Sequence, residues 1–254
     1  MSQAQKRHAV VTGGGSGIGL AIARELAAAN FAVTIMGRDP ARLAQASAGL
    51  ANAQAITCDV TEPDRVGAAF TEAVSRAGPV SVLVNNAGIV RTAPFERQPD
   101  ADWDAMWRTN VMGAVHCARQ VVGPMRDLAA GRIVNIASTA SLKGYSYVSA
   151  YVASKHALLG LTRALAAELA QTSITVNAIC PGYADTAIIR DAVETIVEKT
   201  GRPEAVARAS FTASNPQGRL IDPAEVAGTV RWLVSDGARS VTGQAIVVAG
   251  GEVM

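Results

Sequence analysis

Near the start of the chain stand the residues Val10-Val11-Thr12-Gly13-Gly14-Gly15-Ser16-Gly17-Ile18-Gly19, where a β-branched run passes directly into glycines. The residues before the glycines predict a strand, and those after them predict a helix. Further along the chain the same pattern recurs, with short Val/Ile runs between alanine-rich stretches. The predicted strands are 8–12, 32–37, 54–57, 81–85, 132–136, 174–179 and 245–248. The predicted helices are 17–29, 42–48, 62–77, 100–128, 150–171 and 223–235.

This alternation predicts the class of the fold. Strands that are apolar throughout, and that are separated by helices, are typical of parallel sheets covered on both faces. We therefore expect an α/β protein, a single-domain Rossmann-type doubly wound fold with a seven-stranded parallel sheet over residues 1–254. The segment 186–216 departs from the alternation after the sixth strand. We interpret it as a mobile helical lid over a ligand site, and an ordinary surface excursion is the alternative.

The composition argues against several classes of protein. The 254 residues carry 23 Lys and Arg against 21 Asp and Glu, with no basic block longer than two residues. We therefore expect neither nucleic acid nor a membrane as partner, and no apolar run reaches the ~20 residues that span a bilayer. Three separated cysteines and three scattered histidines predict reduced thiols and no metal site. With no apolar region after the basic N-terminal residues, we expect a cytoplasmic protein.

The glycine-rich turn predicts a phosphate-binding site. Gly13 permits the tight turn, Gly17 lets the backbone approach a pyrophosphate, and Gly19 allows the helix to pack closely on the sheet. The N-terminus of the helix adds free N–H donors and the positive end of its dipole. We therefore expect a dinucleotide at the first strand–helix turn.

The end of the second strand indicates which dinucleotide is bound. Folds that bind NAD place an Asp or Glu there to accept hydrogen bonds from the ribose hydroxyls. This chain has Gly37 at the expected place, and Arg38 follows it. Because a guanidinium suits a 2′-phosphate, we favour NADP(H). Asp39 is near enough in sequence to keep NAD(H) open.

Tyr151 and Lys155 lie four residues apart on a predicted helix, and this spacing puts both side chains on one helix face. A free tyrosine has a pKa near 10, and a cation within about 4–6 Å lowers it. We therefore expect Lys155 to lower the pKa of Tyr151, which would make the phenol a usable proton donor and acceptor.

With these residues in place, the chain resembles the short-chain dehydrogenase/reductase family in its compact single-domain form, and its ketoacyl reductases in particular. The resemblance covers residues 9–251, and its motifs occur in the family's order. They are Thr12-Gly13 through Gly17 and Gly19, Asp59-Val60, Asn85-Asn86-Ala87-Gly88, Asn110, Ser138, Tyr151 with Lys155, Pro181-Gly182 and Thr186.

The resemblance implies a role for each of these positions. The catalytic residues it implies are Asn110, Ser138, Tyr151 and Lys155. The cofactor-binding residues, taking Arg38 from the argument above, are Gly13, Ser16, Gly17, Ile18, Gly19, Arg38, Asp59, Val60, Asn86, Ala87, Gly88, Tyr151, Lys155, Pro181, Gly182 and Thr186. The resemblance also implies a homo-tetramer, assembled through the helices at 100–128 and 150–171.

These residues together favour one reaction. We expect an oxidoreductase that transfers hydride between NADP(H) and a ketone or secondary alcohol, with 3-oxoacyl thioesters and cyclic ketones as candidate substrates. An NAD-dependent secondary alcohol dehydrogenase is an alternative. A non-catalytic dinucleotide-binding sensor or scaffold is an alternative of another class, although such relatives usually lose the Tyr/Lys pair.

Overall fold

Seven parallel strands form one sheet in the computed structural model, which describes residues 6–254. Residues 1–5 of the predicted domain lie outside the described residues. The strands are β1 (His8–Thr12), β2 (Ala32–Gly37), β3 (Ala53–Thr57), β4 (Val80–Asn85), β5 (Gly131–Ile136), β6 (Ile174–Pro181) and β7 (Ala245–Val248). Their order is β3-β2-β1-β4-β5-β6-β7, and each neighbouring pair is parallel. The predicted single-domain, seven-stranded α/β fold is confirmed.

Helices cover both faces of the sheet. The helices of the described residues are α1 (Gly17–Ala28), α2 (Pro40–Ala48), α3 (Pro63–Ala77), α4 (Asp100–Trp107), α5 (Gly113–Met125), α6 (Ser149–Glu168), α7 (Ala187–Thr200), α8 (Glu204–Thr212) and α9 (Pro223–Leu233). Apolar residues of α1, α2 and α9 pack on one face, and those of α3, α5 and α6 pack on the other. Among the described residues, no helix is long and apolar enough to cross a membrane.

The pleat of β1 shows why its sequence is apolar throughout. Ala9 and Val11 point into the core formed with α1 and α9, whereas Val10 points into the core formed with α3 and α5. All three residues are fully buried. A strand with helices on both faces needs apolar side chains at every position, because successive residues point to opposite faces.

The region predicted as one helix from 100 to 128 is divided in the structure. Between α4 and α5 the backbone adopts a five-residue π-helical segment, Arg108–Met112. Such segments are rare and occur mostly at functional sites, because the extra residue in the turn reorients the local side chains. Asn110 lies in this segment and is buried.

The segment predicted as a lid, 186–216, contains α7 and α8. These helices share a small apolar cluster of their own, in which Ile189 and Val193 of α7 meet Ala207 of α8. Both ends of the segment are joined by backbone hydrogen bonds, since Asp185 N donates to Ile221 O and Ile221 N donates to Tyr183 O. The segment is therefore a two-helix excursion whose two ends meet at one place.

Candidate active site

The residues singled out in the sequence gather at one edge of the sheet. The strand order reverses between β1 and β4, and in open α/β sheets ligands bind at such a reversal, beside the carboxyl ends of the strands. The glycine-rich turn follows β1, the Asn86 turn follows β4, Ser138 follows β5 and Gly182 follows β6. The topology therefore brings four separate loops to one crevice.

The glycine-rich turn has the geometry of a phosphate cradle. Gly13 and Gly17 have φ angles of 64° and 51°, in the left-handed region that favours glycine. A Cβ at Gly19 would collide with the Gly13 carbonyl oxygen, so only glycine allows α1 to approach the turn this closely. Ser16, the exposed N-cap of α1, makes no side-chain cap hydrogen bond, and Ile18 follows in the first turn. The first N–H groups of α1 are therefore not capped by that side chain.

Thr12 and Asn86 tie the turn after β1 to the turn after β4. The Thr12 hydroxyl accepts hydrogen bonds from the backbone N–H groups of Asn86 (3.0 Å) and Ala87 (3.1 Å). In return the Asn86 side-chain amide donates to the carbonyls of Thr12 and Gly13, at 3.0 Å and 3.2 Å. In this structure the Asn86 side chain therefore holds the cradle in shape, a positioning role that its motif alone did not reveal.

Asp39, which kept NAD(H) open in the sequence, has its carboxylate committed to α2. Its Oδ1 atom accepts from the backbone N–H groups of Ala41 (3.0 Å) and Arg42 (3.1 Å) as the N-cap of that helix. Arg38 is exposed at the end of β2, one residue after Gly37. The end of β2 thus presents a guanidinium, whereas the nearest carboxylate caps a helix.

The residues after β3 and β4 are held by local contacts. The Asp59 carboxylate accepts from the backbone N–H and the hydroxyl of Thr61, at 2.9 Å and 2.8 Å. Val60 is buried, and a Cβ at Gly113 would lie 2.7 Å from it. A Cβ at Gly88 would lie 3.3 Å from Asn110 Oδ1 and 3.6 Å from Lys155 Nζ, so the turn after β4 borders the Tyr–Lys pair.

Tyr151 and Lys155 lie on the first turns of α6, as their spacing predicts. The Lys155 Nζ atom is 5.7 Å from the centre of the Tyr151 ring and donates to the Ile136 carbonyl at 2.9 Å. Lys155 is only 5% exposed, so its ammonium has lost most of its water. The carbonyl at the end of β5 therefore fixes the cation beside the phenol.

The prediction that Lys155 lowers the pKa of Tyr151 is wrong for the protein by itself. Burial raises the pKa of Tyr151, and a hydrogen bond with the Ser138 hydroxyl opposes this only in part. Burial also lowers the pKa of Lys155 to about 8. Both shifts have one cause, since an apolar environment disfavours a charge of either sign. The phenol is therefore protonated at neutral pH.

Asn110 connects α6 to the turn after β4. Its Oδ1 atom accepts from Ile89 N at 2.8 Å, and its Nδ2 atom donates to Ile89 O at 2.9 Å. The same amide donates to Ser154 Oγ at 3.0 Å, and Ser154 donates to the Tyr151 carbonyl at 2.8 Å. The π-helical segment thus places Asn110 where it joins the turn after β4 to α6.

Ser138 lies directly after β5 and faces Tyr151. It is the N-cap of a short 3₁₀ turn, Thr139–Ser141, and its hydroxyl accepts from Ala140 N at 3.1 Å. This contact fixes the side chain whose hydroxyl lowers the pKa of the Tyr151 phenol and so opposes part of the effect of burial. The structure therefore brings Ser138, Tyr151 and Lys155 together, from residues up to 17 positions apart.

Pro181, Gly182 and Thr186 lie at the end of β6, at the base of the two-helix segment. Pro181 is paired with Val248 of β7, and Gly182 N donates to Val248 O at 3.1 Å. Thr186 precedes α7, and a Cβ on Gly17 would lie 3.2 Å from its methyl group. The base of α7 therefore contacts the glycine-rich turn.

Two acidic residues of this region were not recognised in the sequence. Asp185 accepts from Arg190 of α7 at 3.1 Å and from Arg208 of α8 at 3.2 Å. Glu252, which follows β7, has a side chain that is 1% exposed and a carboxylate 2.9 Å from a Cβ built at Gly182. Neither belongs to a sequence motif, and most of their partners are distant in the chain.

Other residues near the site in sequence point elsewhere. His156 is exposed, and its Nδ1 atom lies 3.0 Å from the Val152 carbonyl of the same helix. Trp103 packs edge-on against Phe95 with ring centres 6.4 Å apart, whereas Trp107 is 49% exposed. Packing against Phe95 therefore explains Trp103 without a role in the site.

Comparison with known proteins assigns this architecture to a family. Residues 7–196 match the family model for short chain dehydrogenase. The chain is 41% identical over 253 residues to a protein from Streptomyces coelicolor whose assigned name is ketoacyl reductase, with 96% of this chain and 95% of that one covered.

Two solved structures superimpose on almost the whole chain. A single-residue variant of actinorhodin polyketide ketoreductase with NADPH has a TM-score of 0.93 and 39% identity, covering 99% of both chains. L-Sorbose reductase from Gluconobacter frateurii, complexed with NADPH and L-sorbose, has a TM-score of 0.93 and 30% identity, covering 98% of this chain and 97% of that one. This protein therefore belongs to the short-chain dehydrogenase/reductase family, and it is an oxidoreductase similar to the family's ketoreductases.

Proposed function

We propose that this protein is an NADP(H)-dependent ketone reductase, with 3-oxoacyl thioesters or cyclic ketones as the substrate class. The observation that carries the proposal is the meeting of Ser138, Tyr151 and Lys155 beside the glycine-rich turn. The Lys155 Nζ atom lies 5.7 Å from the centre of the Tyr151 ring, and the Ser138 hydroxyl lies near enough to the phenol to oppose the effect of burial on its pKa. Two hydroxyl donors at one point suit a carbonyl oxygen on which negative charge develops.

The described residues fit a bound dinucleotide. The first N–H groups of α1 lack a side-chain cap from Ser16, and Gly13 and Gly17 place no side chain over the turn. Arg38 at the end of β2 suits a 2′-phosphate, whereas the Asp39 carboxylate caps α2. The two NADPH-bound structures reported above support the same choice. When bound, the cofactor supplies the hydride.

Residues of this chain donate the proton and stabilise the negative charge that develops during its transfer. Burial raises the pKa of Tyr151 and keeps it protonated, so the phenol is ready to donate to the carbonyl oxygen. Ser138 donates to the same oxygen as charge develops. Lys155, held by the Ile136 carbonyl, supplies a positive charge that stabilises the phenolate left behind. Asn110 joins α6 to the turn at Ile89, because it is hydrogen-bonded to both Ser154 and Ile89.

The segment 186–216 serves in this proposal as the lid over the substrate. It begins at Thr186 beside Gly17 of the cradle, and its two ends are joined through Tyr183 and Ile221. A two-helix segment rooted at a nucleotide site can sequester a ketone from water, as lids do in other enzymes. Its side chains would then select among ketones.

The experiment is oxidation of NADPH with a panel of ketones, comparing the wild type with Tyr151→Phe. Loss of the proton donor should lower kcat about 10²- to 10⁴-fold. Tyr147→Phe is the matched control, because Tyr147 is 65% exposed and should keep kcat within about twofold. Equal activity of wild type and Tyr151→Phe would contradict the proposed role of the phenol. NADPH binding without turnover in a broad panel would favour a dinucleotide-binding sensor.

A further inference from the structure

A buried carboxylate lies beside the proposed site and belongs to no motif of the family resemblance. The Glu252 side chain is 1% exposed, and its Oε1 atom accepts three contacts from two other parts of the chain. The donors are Tyr145 Oη at 2.6 Å, Ser214 Oγ at 2.8 Å and Lys143 Nζ at 3.2 Å. Charged side chains this deeply buried are uncommon unless they are paired, so the contacts specify where Glu252 lies.

The residues around Glu252 belong to different parts of the proposed site. The Tyr145 hydroxyl lies 2.6 Å from that of Thr139, the residue after Ser138. Ser214 lies in the lid segment, two residues after α8 ends. A Cβ at Gly182 would lie 2.9 Å from Glu252 Oε2, so the carboxylate also lies against the turn after β6. One side chain therefore contacts the loop of Ser138, the turn at Gly182 and the end of the lid.

Aromatic packing runs parallel to this polar connection. The Tyr145 and Tyr183 rings meet edge to face with centres 6.4 Å apart, and Tyr183 meets Phe211 of α8 at 5.3 Å. Lys143 Nζ lies 4.8 Å from the centre of the Tyr145 ring. The Tyr145 hydroxyl thus contacts Glu252, and its ring contacts Tyr183, which packs on Phe211 of the lid.

We propose that Glu252 is a positioning residue that fastens the lid, through Ser214 and Tyr145, to the loop that carries Ser138. The inference deepens the proposed function and rests on it for its kinetic part alone. With the fastening intact, the lid and the Ser138 loop hold one relative position while a ketone binds.

The charges around Glu252 allow its contacts with Tyr145, Ser214 and Lys143 to form at neutral pH. Burial by itself would raise the pKa of Glu252, but the hydrogen bonds from Tyr145, Ser214 and Lys143 outweigh it and lower the pKa. Burial and the neighbouring carboxylate raise the pKa of Tyr145, so the phenol remains a donor. The Lys143 ammonium balances the carboxylate, and the cluster is neutral overall.

The test compares Glu252→Gln, Tyr145→Phe and the double variant with the wild type, with hydrogen exchange as the first measurement. Loss of the fastening should speed amide exchange in residues 204–214 about tenfold and leave α9 unchanged. The double variant should match the single variants, because both substitutions break the same connection, which runs from Ser214 through Glu252 to Tyr145. Glu25→Gln, which breaks a solvent-accessible 2.8 Å ion pair between α1 and Arg231 of α9, is the matched control.

The second measurement is kinetic, with whichever ketone the wild type reduces. The KM for the ketone should rise about tenfold, with kcat changed by less than about threefold, because binding and not the proton transfer depends on the lid. The Kd for NADPH, followed by its fluorescence, should stay within about twofold of wild type.

Unchanged exchange at 204–214 in both single variants would overturn the proposal, as would equal acceleration in α9 or in Glu25→Gln. Strictly additive effects in the double variant would also overturn it. If no ketone is reduced, the proposed function fails, while the exchange measurement still decides whether Glu252 fastens the lid. Should Glu252→Gln not fold, Tyr145→Phe removes one hydroxyl and gives the same reading.

Discussion

Lys155 is a cation held almost without water, and its stability contribution should depend on pH. Burial lowers its pKa from 10.5 to about 8, so between these values the unfolded chain binds a proton that the folded chain does not. Stability should therefore rise with pH across this window. Between about pH 7.5 and pH 9.5 the free energy of unfolding should increase by about 2 kcal/mol relative to Lys155→Met.

Urea unfolding of the two proteins at several pH values measures this difference. Lys155→Met keeps a side chain of similar length without a titrating group, so the other ionisable residues cancel in the comparison. Parallel curves for the two proteins would show that the Lys155 pKa is not lowered by folding.

Arg38 is the residue on which the choice of cofactor depends. Its exposed guanidinium follows Gly37 at the end of β2, where a 2′-phosphate is expected. Arg38→Ala should weaken NADPH binding by about 1–3 kcal/mol more than NADH binding, because one charge-assisted contact is lost. Fluorescence titration of both cofactors measures the difference. Arg24→Ala, an exposed change on α1, is the control, and an equal loss for both cofactors would reject the assignment.

At the scale of single elements, the start of α1 shows how a turn constrains a helix. A methyl group at Gly19 would collide with the Gly13 carbonyl and the Asn86 side chain, both parts of the cradle. Gly19→Ala should therefore lower the free energy of unfolding by about 1–3 kcal/mol and weaken NADPH binding. Gly67 in α3 has no neighbour closer than 4.0 Å. Gly67→Ala should instead stabilise the chain by about 0.5–1 kcal/mol.

Thermal and urea unfolding distinguish these two glycines, and NADPH titration adds the functional consequence. Both residues lie inside helices, so their helix propensities are matched and only the available space differs. A stable Gly19→Ala variant with wild-type NADPH affinity would show that the close approach of α1 to the turn is not required.

At the scale of the whole molecule, we expect four copies of the chain to assemble, as the family resemblance implies. The proposed contacts are the helices α4, α5 and α6, and the exposed Trp107 at the end of α4 suits a buried interface. Light scattering at micromolar concentration should give four times the mass of the 26.2 kDa chain. Trp107→Lys should lower that mass, and a monomeric mass for the wild type would remove the prediction.

The sequence by itself determined the architecture and the positions of the catalytic motifs. Continuous apolar strands require helices on both faces, and Val10 and Val11 show this by pointing into different cores. The spacing of Tyr151 and Lys155 places them on one helix face, and Asp222 caps α9 in a capping box with Glu225. These features follow from periods of two and 3.6 residues and from local capping, which act over a few neighbouring residues.

Only the tertiary structure decided the electrostatics and the connections of the site. Burial, which depends on every element packed around Tyr151, reverses the expected direction of its pKa shift. The division of the helix accompanies the contact of Asn110 with Ile89, which lies 21 residues earlier in the chain. Glu252 meets Lys143 and Tyr145 across more than a hundred residues, and Asp185 joins two helices of the lid. Contacts between residues so far apart in the chain leave no periodic trace in it, because the fold must first bring them together.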